Sequence, residues 1–367
     1  MFYLHFKLKL KAMTKYKQQG NRGLFGEQFR LEKLSKHGDP LERLNGLINW
    51  DIFVPVLDKL ENRDKKNNAG AKPYSPLTMF KILILQRYYN LSDSQIEYQI
   101  LDRLSFCRFL GLTLSDRVPD EKTVWTFREH LTNQGVDNEL FAIFHDKLEE
   151  NNLIVHEGKI IDASFVEMPR QRNKKEENKH IKETGTAPKT WNGAPDKMRQ
   201  KDVDARWTKK NNQVHYGYKN HIKVDNKHKF IDTQLATDAA THDSQALAGL
   251  LDKKKDKGCD LWADSAYVGD NQEKTIKKYR MNNKVHEKGT RNNPLTETQK
   301  KSNREKSKTR ARVEHVFGFI EGSMNRLQLN SIGYKRTAAL ISLINLTYNL
   351  FRYEQISRLH GITMSNF

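Results

Sequence analysis

Lys159-Ile160-Ile161-Asp162-Ala163-Ser164-Phe165-Val166 is apolar and partly β-branched, the make-up of a short buried strand. Its first apolar run ends by placing one carboxylate, Asp162, among residues that otherwise belong to a core. A buried carboxylate needs a partner. Lys and Arg are dense on either side, yet the strand's interior holds none, so the expected partner is a divalent metal ion that could in turn hold nucleic-acid phosphate. Two more acids, Asp264 and Glu314, extend the pattern, because Leu261-Trp262-Ala263-Asp264 is a second short strand ending in a carboxylate.

The charge of the whole chain agrees. Its 367 residues allow two domains or one large core with insertions. A formal charge of +19 implies a polyanion partner, nucleic acid first, since such an excess repels itself unless phosphates neutralise it. Two segments concentrate it. Residues 170–210 hold 13 Lys and Arg against 6 acids, and residues 271–312 hold 14 against 4. Each segment follows one of the two aspartates, and together they carry 17 of the 19 excess charges. Cys107 and Cys259 stand apart with no CxxC spacing, which indicates neither a zinc site nor a disulfide framework and fits a reducing, cytoplasmic compartment. No apolar run approaches the length of a membrane span. The opening residues 1–10 are broken by Lys and His and make a poor signal peptide. Residues 1–20 are read as an extension, with Met13 as the working start.

Taken in order, residues 21–150 read as all-α. A helix over Pro40–Ile48 follows an Asp39 cap with Pro at its first position. Ser75-Pro76 opens a strong helix, Ser92 or Ser94 caps the next, and helices follow over 104–110, 121–131 and 138–150. Such a set on a basic chain fits a DNA-binding helix-turn-helix or a plain packing domain equally. Arg87, Arg103, Arg108, Arg117 and Arg128 read equally as phosphate contacts or as surface charges. Beyond residue 150 strands appear. After Lys159–Val166 comes the basic segment 170–210 without sustained periodicity, then two antiparallel strands, His215–Asp225 and His228–Leu235, joined at Asn226-Lys227. A helix over 241–252, the strand ending at Asp264, a helix over 271–280, a short strand at Lys284–His286, a long helix over 296–321 and a closing apolar helix over 338–356 complete the order. This predicts an α/β fold, a mixed sheet flanked by helices over 151–357, with 358–367 as a tail. The first strand lies beside the strand ending in Asp264, so the two aspartates meet at neighbouring strand ends, and Glu314 reaches them from the long helix.

Three such acids suit phosphoryl transfer, in which two divalent ions about 3.5–4 Å apart serve the attacking and leaving oxygens. Magnesium takes a few carboxylates plus water and phosphate. Arg310, four residues before Glu314, shares its helical face and sets a guanidinium beside the acid. His215, His221, His228 and His242 are read as ordinary polar positions, and Trp191, Trp207 and Trp262 as packing residues, rather than as ligands or base-stacking groups.

Three motifs carry a resemblance: Asp162-Ala163-Ser164; Ala263-Asp264-Ser265-Ala266-Tyr267-Val268-Gly269; and Arg310-Ala311-Arg312-Val313-Glu314-His315-Val316-Phe317-Gly318. Together they resemble the acidic motifs of the DDE transposases of bacterial insertion sequences, in the IS-four and IS-five superfamily, and residues 24–52 and 75–112 resemble that group's N-terminal region. The resemblance implies an RNase H-like catalytic domain in which Asp162, Asp264 and Glu314 are catalytic and bind Mg2+, with Mn2+ as a substitute. The family pattern around the last acid is Tyr, two residues, Arg, three residues, Glu, six residues, Lys. Arg310 and Glu314 fit it, whereas Ser307 stands at the Tyr position and Glu321 at the Lys position. The expected DNA contacts are Arg310, Arg312, Lys306, Lys308, Arg170, Arg172, Lys209 and Lys210. The implied function is a nucleoid-associated transposase that binds the terminal inverted repeats of its element on double-stranded DNA, cuts their ends and joins the freed 3′ strands to target DNA as a homodimer or higher multimer. The rivals are an RNase H-like nuclease that never joins strands and a catalytically silent DNA-binding repressor.

Overall fold

The computed structural model describes residues 25–61, 72–210, 212–325 and 328–364. The N-terminal extension, the Met13 start and most of the loop expected at 62–72 lie outside these residues.

The N-terminal part is helical, as read: α1 (Gly26–His37), α2 (Pro40–Leu47), α3 (Pro76–Tyr89), α4 (Asp93–Asp102), α5 (Leu104–Leu110), α6 (Glu121–Gln134) and α7 (Val136–Glu150). The caps are those the sequence announced. Asp39 accepts the Leu41 N–H at the start of α2, and Ser92 forms a capping box with Gln95 on α4. Helix α1 had no sequence signal because it buries no residue, so no apolar stripe marks it.

The remaining chain builds one six-stranded sheet from β1 (Gly158–Glu167), β2 (Arg206–Lys210), β3 (Gln213–Asp225), β4 (Ile231–Asp238), β5 (Asp260–Trp262) and β6 (Asn282–Asn283). Strand β1 is central, antiparallel to β3 and parallel to β5. On one side β3 continues to β4, antiparallel, and on the other β5 continues to β6, parallel. Three antiparallel strands followed by two parallel ones, flanked by helices, form an RNase H-like sheet. Strand β2 pairs with the outer part of β3 and closes the basic segment, which carries two helices absent from the reading, α8 (Lys175–Thr184) and α9 (Pro195–Gln200). Then follow α10 (Asp270–Lys278), α11 (Glu297–Arg310), α12 (Glu314–Gly318) and α13 (Tyr334–His360). The helix expected over 296–321 is thus broken at residues 311–313, and a π-helical turn, Phe319–Ser323, follows α12. Val313, in the break, and Val316, in α12, are both 0% exposed and lie in the core.

Alternation along β1 assigns its two faces. Ile160 and Val166 join the large core, which also contains the N-terminal helices, α13 and Val313, whereas Ile161 joins a smaller cluster with Leu247, Leu261 and Tyr267. The large core therefore runs across residue 150 without interruption. Helix α13 is buried along most of its length, and its polar side chains are spent on the sheet. Asn345 pairs with Asn220 and Gln234, and Asn349 supplies both partners that the Ile231 backbone requires. Gly158 opens β1 because a Cβ there would lie 2.1 Å from the Trp262 ring.

Candidate active site

Asp162 points to the large-core side of β1, where its register partner on β3 is Ile222. The parallel register with β5 ends at Ile160↔Trp262; carried on by two residues, it sets Asp264 beside Asp162. Asp264 is no longer in the strand as expected. It caps the turn Ser265–Tyr267, its Oδ1 accepting the Ala266 N–H at 2.9 Å. From the far side comes Arg310, the last residue of α11. Its Nη1 donates to Asp162 Oδ2 at 2.9 Å and its Nη2 to Glu314 Oε1 at 3.2 Å. One guanidinium thus bridges two of the three acids, even though the helix between Arg310 and Glu314 is broken. Burial pushes the Asp162 carboxyl up to about 6, against the pull of the Ala163 N–H, Arg310 and Lys210 and with added repulsion from Asp264. The three acids offer the site carboxylate oxygens. That fits a hard divalent cation.

Among the described residues, the group of metal-capable side chains with the tightest approach is elsewhere: His145, Glu149 and Asp232, whose donor atoms lie within 4.8 Å of one another. Cations already occupy it. Lys159 and Lys223, both buried, stand 2.8 and 3.3 Å from Asp232 Oδ2, and Lys255 stands 2.6 Å from Glu149. Although burial works against it, the His145 hydrogen bond and the two ammonium groups hold Asp232 well below the usual carboxylate range. This is an ion-pair network beneath the sheet, where a further divalent charge would be repelled.

Comparison with known proteins then decides the family. The pattern of a transposase DDE domain matches residues 155–350, which include all three acids, and that of a second transposase domain, of otherwise undefined function, matches residues 29–130. The chain belongs to the DDE transposase family. Membership makes it a DNA transposase enzyme and implies use of a divalent metal. A solved structure described as a cryo-EM structure of the piggyBac transposase synaptic complex with hairpin DNA is similar at 12% identity and a TM-score of 0.44, covering 89% of this chain and 77% of that one.

The other positions singled out in this DDE transposase divide by exposure. Lys210 is exposed, stands 3.7 Å from Asp243 and acts on Asp162. Arg172 and Lys209 are exposed, Arg170 reaches the Val214 carbonyl, and Arg312 donates to the Asn226 carbonyl at 2.7 Å. Lys308 is 70% exposed beside Glu305. Lys306 is not free: it donates to the Val285 carbonyl and to Glu287 and is 18% exposed. The histidines and tryptophans behave largely as read. His221 hydrogen-bonds Thr237, His242 caps its own turn, and Trp191 is fully buried; of the three tryptophans singled out, Trp207 stands exposed.

One residue of the site escaped the sequence. His286 donates its N–H to the Ala263 carbonyl and sets Nε2 3.3 Å from Ser307 Oγ, so the residue at the family's Tyr position faces a histidine. Burial lowers its pKa, helped by Arg310 and Lys306 and opposed by Asp264. No local motif announces it; only the β5–β6 register brings it here. Glu321, at the family's Lys position, sets Oε1 3.5 Å from Ser164 Oγ, two residues along from Asp162. This site therefore carries a fourth carboxylate where the pattern has an ammonium.

Proposed function

We propose that this transposase binds the terminal inverted repeats of its own element, cuts the DNA at their ends and joins the freed 3′ strands to target DNA, with Asp162, Asp264 and Glu314 as the magnesium ligands. The observation that carries the reading is the convergence of the acids: Asp162 is bridged to Glu314 by Arg310 and is raised in part by the charge of Asp264. When bound, Mg2+ or Mn2+ supplies Lewis acidity to the attacking and leaving oxygens.

The chain's own groups do the rest. Asp162 and Asp264 are fixed by a strand and a capped turn, so their spacing is set before substrate arrives. Glu314 is 62% exposed and is free to adjust. Arg310 balances the acids in the resting protein and turns its guanidinium to a DNA phosphate once cations replace it, where a planar fork suits two oxygens. Lys209, Lys210, Arg170, Arg172, Lys308 and Arg312 supply exposed positive charge for the DNA backbone. In the first step water displaces one strand at a phosphodiester and leaves a 3′-hydroxyl. In the second that hydroxyl attacks a target phosphodiester, one bond forming as another breaks, so no nucleotide energy source enters. Two ends must be joined together, which assigns the active form to a dimer or larger multimer.

Incubating the protein and magnesium with a labelled duplex carrying the element's end tests the reading. Cut and joined products are expected. Cutting without joining would favour the nuclease, and binding without cutting would favour the repressor.

A further inference from the structure

Arg87, on the last turn of α3, takes no part in the site around Asp162. It is 9% exposed and lines a cavity of about 540 Å3. The opposite wall is residues 328–332 and Arg336 at the start of α13. Three guanidinium groups meet two carboxylates there. Arg128 donates to both oxygens of Asp93, at 2.6 and 2.7 Å. Arg336 donates to both oxygens of Glu129, at 2.7–2.9 Å. Arg87 is left over. Its Nε is buried without an acceptor among the described residues. Burial and the Arg128 charge pull it down to about 10, with Asp93 partly offsetting them. A buried cation whose nearby carboxylate is already held by Arg128 is costly unless an anion enters. The ten-residue helix α4 opens into the same space, since Ser92, Asp93 and Gln95 line it; the Ser92 hydroxyl already accepts the Gln95 N–H, and the helix dipole still favours an anion at this end.

We propose that this cavity binds one phosphate group of the DNA backbone, with Arg87 as its counter-charge. The assignment rests on the DNA substrate of the preceding section. Position supports it. Gln328 and Leu329 line the cavity and also adjoin the end of β1, the Leu329 N–H donating to the Glu167 carbonyl at 3.1 Å. Glu167 is five residues beyond Asp162, roughly 17 Å of strand, or about five nucleotides of one DNA strand. One wall of the cavity therefore adjoins the strand that carries Asp162.

The test measures binding of a labelled duplex by fluorescence anisotropy at several salt concentrations, using full-length Asp162→Asn protein so that chemistry plays no part. Adding Arg87→Met is expected to weaken binding about tenfold and to lower the salt slope by about one. Gln95→Glu keeps the capping box while placing a carboxylate in the cavity, so it gives the same loss in a protein whose fold is undisturbed. Unchanged affinity and slope in both variants overturn the proposal. If millimolar inorganic phosphate raises the melting temperature of the parent but not of Arg87→Met, while both bind DNA alike, the cavity takes free phosphate and the DNA assignment falls. If the Asp162→Asn parent binds no DNA at all, the reading of the preceding section fails together with this one.

Discussion

Asp162 holds its proton more tightly in the folded protein than in the unfolded chain, since burial lifts it from 3.8 to about 6. The stability tied to that proton is fully present below the unfolded value and is lost as pH rises through about 6. Asp162→Asn is therefore expected to raise the melting temperature in EDTA at pH 8, by as much as about 3 kcal/mol of stability, and to change little near pH 4. Equal melting of the two proteins at pH 8 would count against a buried, repelled carboxylate. The same proton must leave when a cation binds, so calorimetric magnesium affinity is expected to fall about tenfold per pH unit below pH 6. Asp162 was legible because a lone acid in an apolar strand violates the pattern around it. Asp264 and Glu314 were legible through the motifs they share with a family. His286 was not: it is one histidine in a lysine-rich stretch, and its place beside Asp264 depends on strand pairing from a distant segment.

The caps and apolar stripes that predicted α2 to α7 are local, and local signals survived. The basic segment 170–210 shows the opposite case. It looked structureless because its order rests on one acid rather than on periodicity. Glu177 accepts from Trp191 Nε1 at 2.6 Å and from Lys197 at 2.7 Å, and these bonds hold its carboxyl down to about 2. Glu177→Ala is expected to speed amide hydrogen exchange across α8, α9 and the turn at Trp191 while leaving β1 and α13 protected; unchanged exchange over residues 175–200 would contradict this. Helix α13 makes a second case. Its apolar run was visible, but the role of Asn349 within it was not: its side chain completes the backbone of β4. Asn349→Leu leaves a buried N–H and C=O unpaired and is expected to cost about 2–5 kcal/mol by urea denaturation.

Across the whole molecule, the neighbours of β1 were readable because parallel strands require a crossover, whereas β2, α8 and α9 in the long basic segment were not. The division at residue 150 is less simple. A single apolar core contains Leu41, Phe144, Ile222 and Leu346, so the helical part and the sheet are closed by the same C-terminal helix. A fragment ending at residue 150 is expected to show no cooperative thermal transition by circular dichroism; a sharp one would establish an independent domain. Sequence patterns reveal which residues are apolar, and not whether two apolar faces meet each other or separate partners.

In the proposed reaction three acids act as one metal site on DNA. The decisive measurement compares the native protein with Asp162→Ala, Asp264→Ala and Glu314→Ala for cutting and joining a labelled duplex that carries the element's end. The expected result is that each change abolishes both reactions in magnesium while duplex binding persists. Cutting or joining that survives any one of the three would contradict it.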